Sequence, residues 1–514
     1  MFNNNSRTRN AVNASFWGMT CNVVNSLLGF GYRTIFIYVL SSNYLGINGL
    51  FTDILQILSF AELGIGNAIA FRLYKPISQK NIQEVGEIMY FFKRVYHFIA
   101  LIILMLGLSI LPFLSYFIKD TGEIPGDVNL TIVYLLFLFQ TVSSYFFSYK
   151  QILLNADQKQ YINSLVNSAI SLIVYIFKII VLLTTKKYVL VLVAGIIFTV
   201  ISNYIFSEWV RNRYREVFEV DNNVNVSVKS QIFNDTKAIF CHKIGGTVLN
   251  STDNIVISKF VGLVSTGIYS NYSLLFYSVT SLLNQLLGSF VSTLGNAHIE
   301  QTREQRYTTY KRLLFANLWI TSVCTVCLFT LINDFILNWV GSTMLLSLMT
   351  VAALSMQFFV ETSRIISTAY TNGCGLFVKD KMRPLIEASI NLGVSVILVK
   401  EMGIAGVFWG TVISHLCTVS WREPYLLYKY EFMKSVVGYW IHYFIALIVT
   451  GLICYGYSVF FEMAGIEVKN LGLWFIKAVC VFCLTNIFYV LMFRKNGNYL
   501  FYKELIMKRL RHDH

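Results

Sequence analysis

Charge is what this chain has least of. Asp, Glu, Lys and Arg make up only 13% of its 514 residues, against about 25% in an ordinary soluble domain. So few charges cannot coat a soluble particle of this size, and the 55% of residues that are hydrophobic exceed what one compact core absorbs. Signatures of catalysis and energy conversion are missing too. There is no GxxxxGK[ST] stretch, which excludes ATP use by this chain through a P-loop. There is no HExxH helix and no GxSxG elbow, and no enzymatic activity, cofactor or metal is expected. A disulfide framework is also absent. The nine cysteines lie almost wholly inside apolar stretches, and the CxxC spacings Cys324/Cys327 and Cys480/Cys483 read as small hydrophobes in lipid-facing helices. No cleavable leader is evident. Polar Met1–Asn13 runs into about 25 apolar residues, too long for a signal h-region, so the first helix is expected to stay.

What the chain does have is apolar runs of roughly 20 to 27 residues, the length that crosses about 30 Å of hydrocarbon. Phe 41, Tyr 31 and Trp 8 suit interfacial aromatic belts. The pattern predicts an all-α membrane protein of about 14 transmembrane helices: Phe16–Leu40, Ile47–Ala70, Phe98–Ile118, Leu130–Phe147, Ile162–Leu183, Val189–Val210, Ile239–Val261, Ile268–Leu294, Leu314–Trp339, Leu345–Tyr370, Pro384–Val399, Ile404–Val419, Trp440–Phe460 and Leu471–Phe493.

The formal net charge of +14 does not point to nucleic acid, because the basic residues sit between apolar runs and not along one soluble face. They obey the positive-inside rule instead. With the N-terminus inside, segments assigned to the cytoplasm hold about 30 of the 41 basic residues. Those assigned outside hold about six: Lys119, Lys186, Lys187, Lys259, Lys400 and Lys469. A miscounted helix would scramble this alternation downstream, so both termini are expected to be cytoplasmic in a bacterial inner membrane. The hydrophilic stretch Arg211–Lys237 divides the spans into six and eight. This gives an N-terminal bundle over 1–210, a linker over 211–237, a second bundle over 238–430, and two further helices with a basic tail over 431–514. The longest outward loop, Lys119–Asn129, is short, which disfavours a membrane glycan polymerase.

A weak repeat relates the halves. Arg33 precedes Gly46 in the outward loop Ser41–Ile47, and Asp253 stands at nearly the same distance before Gly267 in Gly262–Gly267. Duplicated halves around a midplane site are a common transporter plan.

The run Tyr44–Ile77, YLGINGLFTDILQILSFAELGIGNAIAFRLYKPI, resembles the second-helix signature of O-antigen-type polysaccharide-biosynthesis flippases, within the multidrug/oligosaccharidyl-lipid/polysaccharide (MOP) superfamily. Tyr149–Ser164 (YKQILLNADQKQYINS), Asp253–Tyr272 (DNIVISKFVGLVSTGIYSNY) and Gly403–Leu416 (GIAGVFWGTVISHL) resemble the same family, in the same order along most of the chain. The resemblance implies two six-helix bundles around a central cavity plus two C-terminal helices. It also implies alternating access and an undecaprenyl-pyrophosphate-linked oligosaccharide as substrate, with membrane lipids, a glycan polymerase and glycosyltransferases as partners.

Ionisable groups inside a span cost about 2.5–3.5 kcal/mol on insertion scales and usually face a bundle interior. Arg33 and Asp53 lie at matching depth, each about 10 Å in from the outer end of its helix. They read either as a structural ion pair or as Arg33 facing a cavity, with its guanidinium suited to bidentate contact with a pyrophosphate or acidic sugar. Lys243, Asn271 and Asn284 are further candidates for substrate contact. Glu62, in AELGIG, reads as hydrogen-bonded across a close helix contact or as a coupling acid. Asp253, beside Ser251, Thr252 and Asn254, reads as capping or as part of a cation or proton site. His242 is a candidate gate, and Glu361 and Arg364, three apart, are expected to share one helix face and neutralise each other. Lys178 and Lys477 are expected to snorkel outward.

The sequence therefore reads as a lipid-linked oligosaccharide flippase for surface polysaccharide. Its rivals are a cation-coupled multidrug antiporter of the same superfamily, a glycan polymerase, and a non-transporting scaffold.

Overall fold

A computed structural model of the chain describes residues 7–62, 65–220, 245–247, 249, 251–288, 302–466 and 468–512. Among these, regular structure is helical throughout. Among the described residues eight helices are long and apolar enough to cross a bilayer by length and composition, and the chain is a multi-pass, all-α membrane protein. It forms two compact units, one of residues 1–271 with 381–407, the other of 272–380 with 408–514.

The first unit holds α1 (Arg7–Val39), α2 (Ser42–Leu58), α3 (Ile65–Ser78), α4 (Ile82–Ile110), α5 (Leu130–Ser148), α6 (Gln160–Thr185), α7 (Tyr188–Arg213), α8 (Asp253–Phe260) and the opening turns of α9 (Leu263–Gly288). Polar residues mark where several helices begin. Asn81 accepts a hydrogen bond from the Glu84 amide, and Asn129 from that of Ile132, so each satisfies a donor that a helix start leaves unpaired. The core runs through α2, α4 and α5, with Ile47, Leu50, Phe51, Phe92 and Tyr134 buried together. Large apolar side chains such as Phe98, Leu101 and Met105 stay exposed, as suits a lipid-facing surface.

The span predicted as one helix over Ile47–Ala70 is interrupted. Regular α2 ends at Leu58, a 3-10 turn covers Ser59–Glu62, and α3 resumes at Ile65. Hydropathy measures how apolar a run is and is blind to its continuity, because a break inside a bundle is tolerated where neighbours satisfy the freed backbone groups.

The two loops of the sequence repeat meet. Gly46 stands four residues into α2 and Gly267 four residues into α9. A Cβ at Gly46 would lie 2.2 Å from the Leu263 carbonyl oxygen, and one at Gly267 would lie 2.0 Å from that of Ser42. Each glycine therefore admits the first residue of the other helix, and the contact is reciprocal. Beside it, Glu123 of the loop before α5 accepts from the amides of Leu263 and, at 3.1 Å, Val264, capping α9.

The second unit holds the rest of α9, then α10 (Arg303–Val340), α11 (Leu348–Thr362) and α12 (Ile365–Gly373). After α13 (Arg383–Met402), which belongs to the first unit, it continues from within α14 (Ile404–Cys417) through α15 (Val419–Leu426), α16 (Val437–Ala464), α17 (Leu471–Phe493) and α18 (Gly497–His512). Helix α10 starts in a capping box, Thr302 with Gln305, and α16 and α17 pack along it. The Trp319 indole donates to Asn486 at 3.1 Å and that of Trp474 to the Leu331 carbonyl at 3.0 Å. Lys477 does not snorkel outward: its ammonium pairs with Asp334 at 2.7 Å, because an acid on the adjacent helix offers a nearer partner than the interface. Cys327 packs beside Val326, Leu331 and Val481 as an ordinary small hydrophobe. The predicted span Leu345–Tyr370 is also divided, between α11 and α12.

Candidate functional site

Arg33 lies on α1 two turns before the helix ends. Its Nε donates to Asn271 Oδ1 at 2.7 Å, and a terminal guanidinium nitrogen donates to Ser270 Oγ. Both partners sit on α9 just past the Gly267 contact, and Asn271 is fully buried. Among the described residues Arg33 has no carboxylate partner. Neutral groups orient the guanidinium and leave its charge uncompensated, an arrangement that favours an anion nearby.

A second cation lies in the same unit. Lys178 was expected to snorkel but packs inward. Its Nζ lies 5.7 Å from the centre of the Tyr32 ring, and its stem fills the space over Gly195, where a Cβ would come within 2.0 Å of Lys178 Cε. Tyr32 in turn contacts Tyr175, with ring centres 5.3 Å apart. The glycine on α7 opens a groove that the sequence reading did not anticipate.

Asp53 does not pair with Arg33. It is buried and accepts hydrogen bonds from the side chain and backbone of Asn254. Matching depth does not fix the direction in which two side chains point. Gly49 admits Asn254 against α2, at 3.3 Å from where a Cβ would stand, and the carboxamide takes the place assigned to the guanidinium.

Glu62 closes the 3-10 turn between α2 and α3. The Tyr96 hydroxyl of α4 donates to its Oε1 at 2.5 Å, and Tyr145 of α5 also bonds it. The expected hydrogen bonding is present, with two tyrosines as donors. Gly66 lies beside the Tyr96 hydroxyl, while Gly64 falls outside the described residues.

Asp253 begins α8 and is buried with Ser251 and Thr252. The Thr252 hydroxyl reaches Asn391 of α13 at 3.4 Å. One turn before Asn391, Glu387, almost fully buried, pairs with Arg383. Both Glu387 and Asn391 are missing from the sequence-based site, although Glu387 lies inside the predicted span Pro384–Val399 and the rule applied to the other in-span acids would have flagged it.

Glu361 and Arg364 do not share an uninterrupted helix face. Helix α11 ends at Thr362, α12 begins at Ile365, and Arg364 lies near the hydroxyls of Tyr439 and Tyr443. Asn284 is exposed on α9. His242 and Lys243 lie outside the described residues.

No family model and no curated protein matches this sequence. Solved structures do match in fold. A lipid II flippase, MurJ, in an inward closed conformation superposes with a TM-score of 0.63 at 14% identity, over 93% of this chain and 99% of that one. An inward-facing multidrug resistance MATE transporter of the MOP superfamily gives 0.56 at 13%, over 86% and 98%. A MOP superfamily transporter from Pyrococcus furiosus, described as having a binding pocket of reverse polarity, gives 0.51 at 12%, over 88% and 97%. The chain has the fold of these transporters.

Proposed function

We propose that the protein is a flippase that moves an undecaprenyl-pyrophosphate-linked oligosaccharide from the cytoplasmic to the outer leaflet of a bacterial inner membrane, for surface polysaccharide synthesis. The observation that carries this reading is Arg33, a membrane-embedded guanidinium held by Ser270 and Asn271 with no carboxylate partner among the described residues. A pyrophosphate supplies the missing charge, and the planar guanidinium suits its geometry. The fold shared with a lipid II flippase supports a lipid-linked substrate, as do the family-like sequence stretches.

In this reading residues 1–210 and 238–430 form two bundles that open alternately to each side, both termini are cytoplasmic, and Lys243 and Asn284 join Arg33 and Asn271 on the substrate. Asp53, Glu62, Asp253, His242, Glu361 and Arg364 are the residues proposed for coupling or gating. Glycosyltransferases act before it and a glycan polymerase after it.

A multidrug antiporter is the second reading, favoured by the buried acids Asp53 and Asp253 and by the fold shared with a multidrug transporter. Clean deletion separates the two. The flippase reading predicts lipid-linked repeat units accumulating on the cytoplasmic side with unchanged drug susceptibility. Normal surface glycan with increased drug susceptibility would favour the antiporter.

A further inference from the structure

At the end of the second unit that the charge pattern assigns to the cytoplasm, α10, α16, α17 and the start of α18 enclose a cavity of about 220 Å³. Its walls are mainly apolar and aromatic, with Leu318, Trp319, Ala446 and Phe493 among them, and Lys311, His442, Asn496 and Asn498 supply the polar part of the lining. Lys311 is exposed and lies 4.6 Å above the Tyr307 ring. Its neighbour Arg312 lies 3.6 Å above the Phe501 ring of α18. Neither has a carboxylate partner among the described residues. Glu304 pairs with Lys434 at 2.7 Å and Glu431 with Arg306 at 2.7 Å, while Glu504 of α18 is exposed. Helix α18 adds Lys503 and Lys508 while exposing Leu500, Leu505 and Met507, a composition suited to a membrane surface.

An apolar slot with two cations beside it that have no ion-pair partner among the described residues, at the helix ends that the charge pattern assigns to the cytoplasmic side, is complementary to a lipid whose headgroup is an anion. A zwitterionic lipid would bring its own cation toward Lys311 and Arg312. We propose that the second unit carries a binding site for an anionic phospholipid of the cytoplasmic leaflet, of the phosphatidylglycerol class. An acyl chain lies along Leu318 and Ala446, and the phosphate meets Lys311 and Arg312. This site is separate from Arg33 and does not depend on what the protein transports.

Trp319 lines the cavity and reports directly. Full-length protein in mixed micelles is titrated with phosphatidylglycerol brominated on its acyl chains, or with the brominated phosphatidylcholine. The Trp319 component is the quenching lost in Trp319→Phe. It is expected to saturate at a lower mole fraction of phosphatidylglycerol than of phosphatidylcholine, with about fivefold of that preference lost for each of Lys311→Gln and Arg312→Gln. Thermal stabilisation by phosphatidylglycerol is expected to disappear in Ala446→Leu, which fills the slot. Equal quenching by the two lipids, or unchanged stabilisation in both cation variants, would overturn the proposal. So would displacement of the brominated lipid by undecaprenyl phosphate at lower concentration than by unlabelled phosphatidylglycerol, which would assign the slot to the transported lipid.

Discussion

Arg33 and Glu62 are the residues whose contacts most constrain the account. Arg33→Ala removes charge-assisted hydrogen bonds worth about 1.5–3 kcal/mol each, and export of lipid-linked repeat units is expected to fall at least tenfold. Arg33→Lys keeps the charge but loses the planar fork, so a partial defect is expected, read as surface glycan in a complementation assay. Tyr96→Phe leaves Glu62 without its 2.5 Å donor and is expected to cost about 1–3 kcal/mol, seen as a lower unfolding temperature in detergent. An unchanged temperature would show that Tyr145 suffices. Sequence reading singled out Arg33, Asp53, Glu62 and Asp253 because an ionisable group in a span is rare and costly. Their pairings were not legible, even where the partner residue, Asn271 or Asn254, stood out for another role. Ser270, Asn254, Tyr96 and Tyr145 are ordinary residues brought in by tertiary packing, and the Arg33–Asp53 pair failed because depth along a helix says nothing about its rotation.

At the level of elements, the reciprocal fit of Gly46 and Gly267 is the clearest structural trace of the sequence repeat. Both positions are needed small, since an added methyl would meet a backbone carbonyl at 2.2 Å or 2.0 Å and backbone yields less readily than a side-chain tip. Gly46→Ala and Gly267→Ala are each expected to destabilise the protein by about 1–3 kcal/mol, measured by thermal unfolding. Combining them should cost less than the sum, because one displaced crossing relieves both clashes; strict additivity would argue against a shared contact. The repeat was visible as spacing, but the meeting of its two loops was not. Helix ends were partly legible from capping residues such as Asn129 and Thr302. The breaks after Leu58 and Thr362 were not, because each lies inside a span that stays apolar on average, even though polar residues (Ser59 and Glu62; Glu361, Ser363 and Arg364) stand at the break itself. Lys477 shows the same limit, since its partner Asp334 is 143 residues away in sequence.

For the whole molecule, composition and charge alternation identified a multi-pass, all-α membrane protein, and the folds it shares with solved transporters agree with that reading. The proposed cargo rests on chemistry at Arg33, and one reconstitution tests it most directly. Purified protein is placed in liposomes carrying an undecaprenyl-pyrophosphate-linked oligosaccharide in both leaflets, and a membrane-impermeant glycosidase is added outside. With the wild-type protein, the account predicts that the enzyme consumes sugar beyond the outer-leaflet share, while Arg33→Ala vesicles protect the inner share as empty vesicles do. Equal protection in wild-type and protein-free vesicles would contradict it.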